Sequence, residues 1–345
     1  MIQAKKEGIV LKKTALVFEE DGVLNPAVIK EGNDTHMFYR AVRKGNYSSI
    51  GYCKLSGPLN VVERNDAPLL ISEFNYESQG VEDPRIVKID NVYYLSYTAY
   101  DGINALGALA TSKDLKTFEK KGIIVPQLSF EVFQHLAQSK GDVNEKYFRI
   151  SKQDQLLKKI QDKVFLWDKN LIFFPRRING KLTFLHRIRP GIQIVAVNEL
   201  EDLTKEFWDD YFLHFKEHIL MDSVYDHEAG YIGGGCPPIE TKEGWLLIYH
   251  GVHDTPTGYV YTACAALLDL ANPGKEIARL PYALFHPEYE YELTGYVNNV
   301  CFPTGTVLID DILYIYYGAA DENIACVSVS FTGLIKELLA NKSKI

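Results

Sequence analysis

Long apolar runs are missing from this chain of 345 residues: Gly, Pro or a charge interrupts every apolar stretch, so none approaches the roughly 20 residues that a membrane-spanning helix needs. The sequence is read as non-membrane, and its lysine-bearing first segment lacks the apolar core of a secretory signal. Basic residues are outnumbered, 37 Lys plus Arg against 45 Asp plus Glu, for a formal charge of −8. A polyanion binder gathers cations to displace counterions, so this balance argues against nucleic acid as a partner. Cysteine is sparse and odd in number: Cys53, Cys236, Cys264, Cys301 and Cys326 are far apart and no CxxC pair occurs. Buried free thiols in a reducing compartment are expected, hence a cytoplasmic location and no cysteine-based metal or redox centre. The Gly233–Gly235 run has no Lys-Ser/Thr after it and so does not resemble a phosphate-cradling loop.

Aromatic residues are plentiful, with 22 Tyr and 17 Phe, many in alternating runs such as VYYLSYTAY, WLLIYHGV and LYIYYGA. Such runs favour strands, because aromatic and β-branched side chains fit a pleated surface. Five segments share one grammar: a proline, a few apolar residues, a polar turn and an aromatic strand. Their prolines, Pro26, Pro84, Pro175, Pro238 and Pro303, recur about every 60 residues except for a longer interval between Pro84 and Pro175. The aromatic or histidine ending each strand is Tyr39, Tyr97, His186, Tyr249 and Tyr316. The pattern predicts an all-β protein, a five-bladed β-propeller forming one catalytic domain over 1–345. The long interval holds a predicted helical insertion, 129–168, between the second and third repeats. The terminal FTGLIKELLANKSKI predicts a helix over 331–345.

Equivalent positions in such repeats converge on one mouth, so recurring polar residues mark the candidate site. Asn25 and Asp83 directly precede their prolines, where the third repeat aligned on Pro175 offers Phe174. Arg40, Asp101, Arg187, His250 and Asp321 lie near the ends of the aromatic strands. Buried charges at recurring positions are costly unless paired or used.

The stretches GVEDPRIVKIDNVYYLSYTAYDG, ALATSKDLKTFEKKG, DKNLIFFPRRINGKL, GGGCPPIETKEGWLLIYHGV, AALLDLANP and NNVCFPTGTVLIDDILYIYYGAAD together resemble glycoside hydrolase family 130. These are inverting β-mannoside phosphorylases and β-1,2-mannosidases. The resemblance covers most of the chain outside 129–168. It implies that Asp83 is the general acid, acting through a mannose hydroxyl. It further implies that Asn25 and Asp321 contact mannose, that Arg40 lines the pocket, and that Tyr100 and Asp101 lie close by; His250 is expected at the site from its place in the strand-end polar ring. No cofactor and no metal are implied, and the Asp226-His227-Glu228 cluster with His218 matches no zinc spacing.

The family divides on what attacks the anomeric carbon. Ala105 stands where the phosphorylases carry a phosphate-binding arginine, and Glu228 offers a carboxylate near another basic position, while Lys169 persists as a cation. The expectation drawn is an inverting, exo-acting β-1,2-mannosidase, with Asp83 as acid and Glu228 as part of the base, partnered by Asp254 or Asp269. One alternative is a β-mannoside phosphorylase releasing mannose 1-phosphate, its phosphate held by Arg40, Lys169 and Arg176 or Arg177. The other is a noncatalytic carbohydrate-binding propeller. The expected partner is a β-mannoside oligosaccharide, with inorganic phosphate only in the phosphorylase alternative; a homo-oligomer is also expected.

Overall fold

The computed structural model describes all residues except 158–163, 257 and 343–345. Its strands fall into five antiparallel meanders in chain order. The first runs Gly22–Glu31, Asp34–Arg43, Tyr47–Ser56 and Asn60–Arg64; the second runs Gly80–Ile89, Val92–Tyr100, Ala105–Ser112 and Phe118–Ile123. A single parallel bridge, Ser48 to Gly80, links these two into one eight-stranded sheet. The third comprises Lys169–Phe173, Leu182–Arg187, Ile192–Val197 and Ile219–Met221. The fourth comprises Tyr231–Gly234, Trp245–Thr255, Gly258–Leu268 and Glu276–Arg279, with Ile239–Glu240 beside its second strand. The fifth, Cys301–Ile309, Ile312–Ala319 and Asn323–Ser330, takes its outermost strand, Lys5–Leu11, from the other end of the chain.

Tight turns set the registers. Asp90 and Asn91 both adopt positive φ, 49° and 63°, between Ile89 and Val92. That is the two-residue turn whose twist matches a hairpin, and Asp and Asn tolerate it best after glycine. The core is divided among the sheets rather than held inside one. Five apolar clusters each join two successive meanders, and one of them, with Val23, Met37 and Cys53 against Val307, Tyr316 and Cys326, returns from the fifth to the first.

A buried acid recurs beneath these sheets. Glu19, Glu77, Glu228 and Glu292 are all fully buried, each in a short helical turn leading into the first strand of a meander. Each accepts a hydrogen bond from a second-strand tyrosine: Tyr39, Tyr97, Tyr249 and Tyr317 respectively. Each also meets a cation on the outermost strand of the same sheet: Arg64, Lys120, Arg279 and Lys6. The third unit varies the theme, His186 Nδ1 lying 2.8 Å from Asp168 Oδ2 with Tyr211 at its other nitrogen. A buried carboxylate is tolerable only when paired and hydrogen-bonded. Here one side chain ties the helical turn, the second strand and the edge strand of a sheet together.

The 129–168 segment holds two helices among its described residues, Phe130–Ser139, capped by Ser129, and Glu145–Leu157. Phe133 is their anchor, packed against Phe148, Phe212 and Phe215 with ring centroids 5.2–5.6 Å apart. The C-terminal helix spans Phe331–Ala340, shorter than expected, and residues 343–345 of that expectation lie outside the described residues, as do 158–163 of the insertion. No helix among the described residues is long and apolar enough to cross a membrane.

Candidate active site

The first strands of three meanders break register at the equivalent place. Bulges fall between Leu24 and Ala27, between Glu82 and Arg85, and between Lys169 and Ile172. Inside them Asn25, Asp83 and Asn170 take left-handed backbone, with φ of 49°, 49° and 52°. Such bulges re-aim a side chain, and Asn and Asp bear the conformation at least cost. The third-sheet counterpart of Asp83 is therefore Asn170, not Phe174: alignment on Pro175 runs four residues late. Alignment on the second strands recovers the register, because Leu24 pairs with Arg40 just as Lys169 pairs with Arg187.

These residues border one cavity of about 260 Å³. Its polar lining comprises Asn25, Arg40, Asp83 and Asp321 together with Lys169, Asn170, Arg187 and Arg189. Trp167, Tyr231, Tyr261 and Phe302 supply aromatic walls, and Tyr231 and Tyr261 join hydroxyl to hydroxyl at 2.6 Å. Asn25 Nδ2 donates to Asp83 Oδ1 at 2.7 Å, and Arg40 reaches Asp83 at 3.4 Å and Glu82 at 2.7 Å. Gly318 makes room for this pair, since a Cβ there would stand 2.0 Å from Asn25 Oδ1.

The two cavity acids are pushed apart. Burial opposes charge on Asp83, yet Arg40, Lys169 and the Asn25 amide outweigh it and bring the carboxyl down to about 2. Burial dominates at Asp321, with the Arg40 cation only partly offsetting it, and pushes that carboxyl up to about 6. A folded value above the ordinary 3.8 means that the ionised Asp321 weakens the fold above about pH 6, and that the cost fades as pH falls towards the unfolded value. Asp321→Asn is thus expected to melt above the parent at pH 7, with the gap closing towards about pH 4 in a thermal-melt series. A constant gap across that range would refute this.

Of the residues expected at the site, Asn25, Arg40, Asp83, Lys169 and Asp321 come together, and four do not line the cavity. Tyr100 donates to Gly102 O, and Asp101 caps its own turn through the amides of Ile103 and Asn104. His250 is fully buried behind Phe302, ring centroids 4.5 Å apart, and burial holds its imidazole well below the usual value. Glu228 is fully buried and committed to Tyr249, Arg279 and the amides of Val224 and Tyr225. It belongs to the repeated acid–tyrosine–cation motif, which corrects its reading as a water-activating base. His227, Glu228 and Cys264 lie within 4.8 Å of one another, but the same bonds occupy the Glu228 carboxylate. Arg176 and Arg177 are also excluded, being tied on the surface to Glu240 and to Asp90 and Glu199.

A family model described as β-1,4-mannooligosaccharide phosphorylase matches residues 6–339. The chain belongs to glycoside hydrolase family 130. Within family 130 it is 33% identical over 336 residues to a 1,2-β-oligomannan phosphorylase of Thermoanaerobacter sp. (strain X514), covering 93% of this chain and 95% of the relative. A β-1,2-mannobiose phosphorylase of the same organism is 34% identical over 323 residues, 89% of each chain. The fold matches that of a Listeria innocua β-1,2-mannobiose phosphorylase in complex with β-1,2-mannobiose, with a TM-score of 0.70, 22% identity and 93% of each chain covered. Both of these sequence relatives are named phosphorylases, which overturns hydrolysis as the leading expectation. The physical reason lies in the cavity. Ala105 does not line the cavity, whose cations are instead Arg40, Lys169, Arg187 and Arg189.

Proposed function

We propose that this protein is an inverting β-mannoside phosphorylase that cleaves β-1,2-linked mannooligosaccharides and releases α-mannose 1-phosphate. The observation that carries the reading is the gathering of four cations around Asp83 in one small cavity. A phosphate dianion needs several charge-assisted donors, and arginine offers them in a planar fork. Lys169, Arg187 and Arg189 hold the phosphate; Asn25, Asp321 and Arg40 hold the terminal mannose. A phosphate oxygen attacks the anomeric carbon as the bond to the leaving sugar breaks on the opposite face. Asp83 delivers the proton that the departing oxygen takes up, directly or through a sugar hydroxyl. Phosphate also acts on the acid: a dianion beside Lys169 offsets part of the field that holds the Asp83 carboxyl low, which moves it towards protonation.

The scaffold in this reading is a single-domain five-bladed β-propeller. The five meanders, and the apolar clusters that link them in sequence and back to the first, support it. The β-1,2 preference follows the two long relatives, whereas the family model's description favours β-1,4 linkages. The test is incubation with β-1,2-mannobiose and with β-1,4-mannobiose, with and without inorganic phosphate, reading products by ion chromatography. Mannose 1-phosphate formed only with phosphate is expected. Free mannose made equally fast in both conditions would sink the reading. Arg187→Met is expected to raise the KM for phosphate about 10- to 100-fold, the loss of a charge-assisted contact, with a much smaller change in the KM for mannobiose. Equal changes in both would show that Arg187 does not hold the phosphate.

A further inference from the structure

Arg187 and Arg189 flank Ile188, whose backbone is held by one side chain. The Ile188 amide donates to Gln193 Oε1 at 2.6 Å, and Gln193 Nε2 donates back to the Ile188 carbonyl at 3.1 Å. Because a single carboxamide engages both groups, the peptide units on either side of Ile188 have a fixed orientation, and so do the Cα–Cβ directions of the two arginines. Gln193 in turn donates to the Tyr147 hydroxyl at 3.2 Å, and Tyr147 donates to Asp222 Oδ1 at 2.7 Å. Gln193, Ile188 and Tyr147 are all fully buried. The hydroxyl also seats the turn from below: a Cβ on Gly191 would stand 2.2 Å from Tyr147 oxygen and 2.5 Å from Asp222 Oδ1. Tyr147 belongs to the inserted helix Glu145–Leu157, where the Phe215 ring meets it edge-on at 5.3 Å. Burial and the neighbouring Asp222 keep its hydroxyl protonated and able to donate.

We infer that Tyr147 is a positioning residue through which the helical insertion aims Arg187 and Arg189 at the phosphate. The inference rests on the phosphorylase reading. The insertion is then part of the anion site's framework, although it contributes no contact to the anion through this residue. Removing the hydroxyl leaves the arginines in place but loosens the backbone that carries them, so phosphate binding suffers while the mannose side of the cavity does not.

The experiment is steady-state kinetics of Tyr147→Phe with β-1,2-mannobiose, varying each substrate in turn, alongside thermal melts. The expected result is a three- to tenfold rise in the KM for phosphate, the scale of one lost buried hydrogen bond. kcat at saturating phosphate and the KM for mannobiose stay within about twofold. Gln193→Met, which cuts the same chain nearer the arginines, gives an equal or larger selective rise. The double variant shows less than the product of the single effects. A phosphate KM unchanged in Tyr147→Phe, or both KM values rising together, overturns the inference. If Tyr147→Phe fails to fold, Gln193→Met takes the same readout, and an unchanged phosphate KM there overturns it equally. Absence of phosphate-dependent cleavage in the parent protein refutes the phosphorylase reading instead, so the two failures are distinguishable.

Discussion

Asp83→Asn is expected to lower the rate on β-1,2-mannobiose by about 10²- to 10⁴-fold, the usual contribution of a general acid, without loss of fold. The amide keeps an oxygen for the Asn25 donor, and Arg40 retains Glu82 at 2.7 Å, so the local bonding largely persists. What vanishes is the proton. Phosphate binding is expected to survive or tighten, because a negative charge has been removed from beside Arg40 and Lys169. Two measurements separate acid catalysis from collapse of the site. Calorimetry should show phosphate binding by the variant at least as tightly as by the parent. A mannoside with a p-nitrophenolate leaving group, which departs without protonation, should recover most of the lost rate. A variant retaining the parent rate on mannobiose within tenfold would remove Asp83 from the role.

Glu228→Gln should do the reverse, weakening the protein and sparing its chemistry. Removing one partner from a buried ion pair costs about 3–5 kcal/mol, and Arg279 keeps Glu276 as a second partner, so the loss is placed near 3 kcal/mol. Urea denaturation followed by fluorescence measures it. Turnover per folded molecule, and its dependence on phosphate, should match the parent. Glu77→Gln, which breaks the same motif in the second sheet, should destabilise to a similar extent. A fully stable but inactive Glu228→Gln protein would restore Glu228 to the reaction and overturn the structural assignment.

These two acids show how far the sequence could be read. The repeated aromatic strands were visible because their pattern is local, and they led to Asn25 and Asp83 in the first strands of the first two meanders. The first strand of the third was misaligned because its proline lies beyond the bulge rather than within it, which concealed Asn170. Arg187 was visible as a strand-end charge, but Arg189 sits in the following loop and no spacing rule carries it into the cavity. Trp167, Tyr231, Tyr261 and Phe302 looked like the many other aromatics that fill the core. Glu228 misled for the opposite reason. Seen alone beside His227 it suggests chemistry, whereas set beside Glu19, Glu77 and Glu292 it is the fourth instance of one structural device. Equivalence among repeats separates an acid needed by every sheet from one used once.

The strand Lys5–Leu11, completing the fifth sheet, carries a consequence for how the molecule comes into being. It pairs with Asn323–Ser330, and its Lys6 is the cation for Glu292. During synthesis this segment leaves the ribosome long before its partner strand. Until then it waits, an unpaired edge, while the four intervening meanders take shape. Once the partner emerges the entropic cost of bringing such distant segments together is modest, because loop closure grows only with the logarithm of length. The clasp therefore shuts only after Asn323–Ser330 has been made, so a ribosome that stalls before Asn323 releases a protein in which Lys5–Leu11 has no strand to pair with.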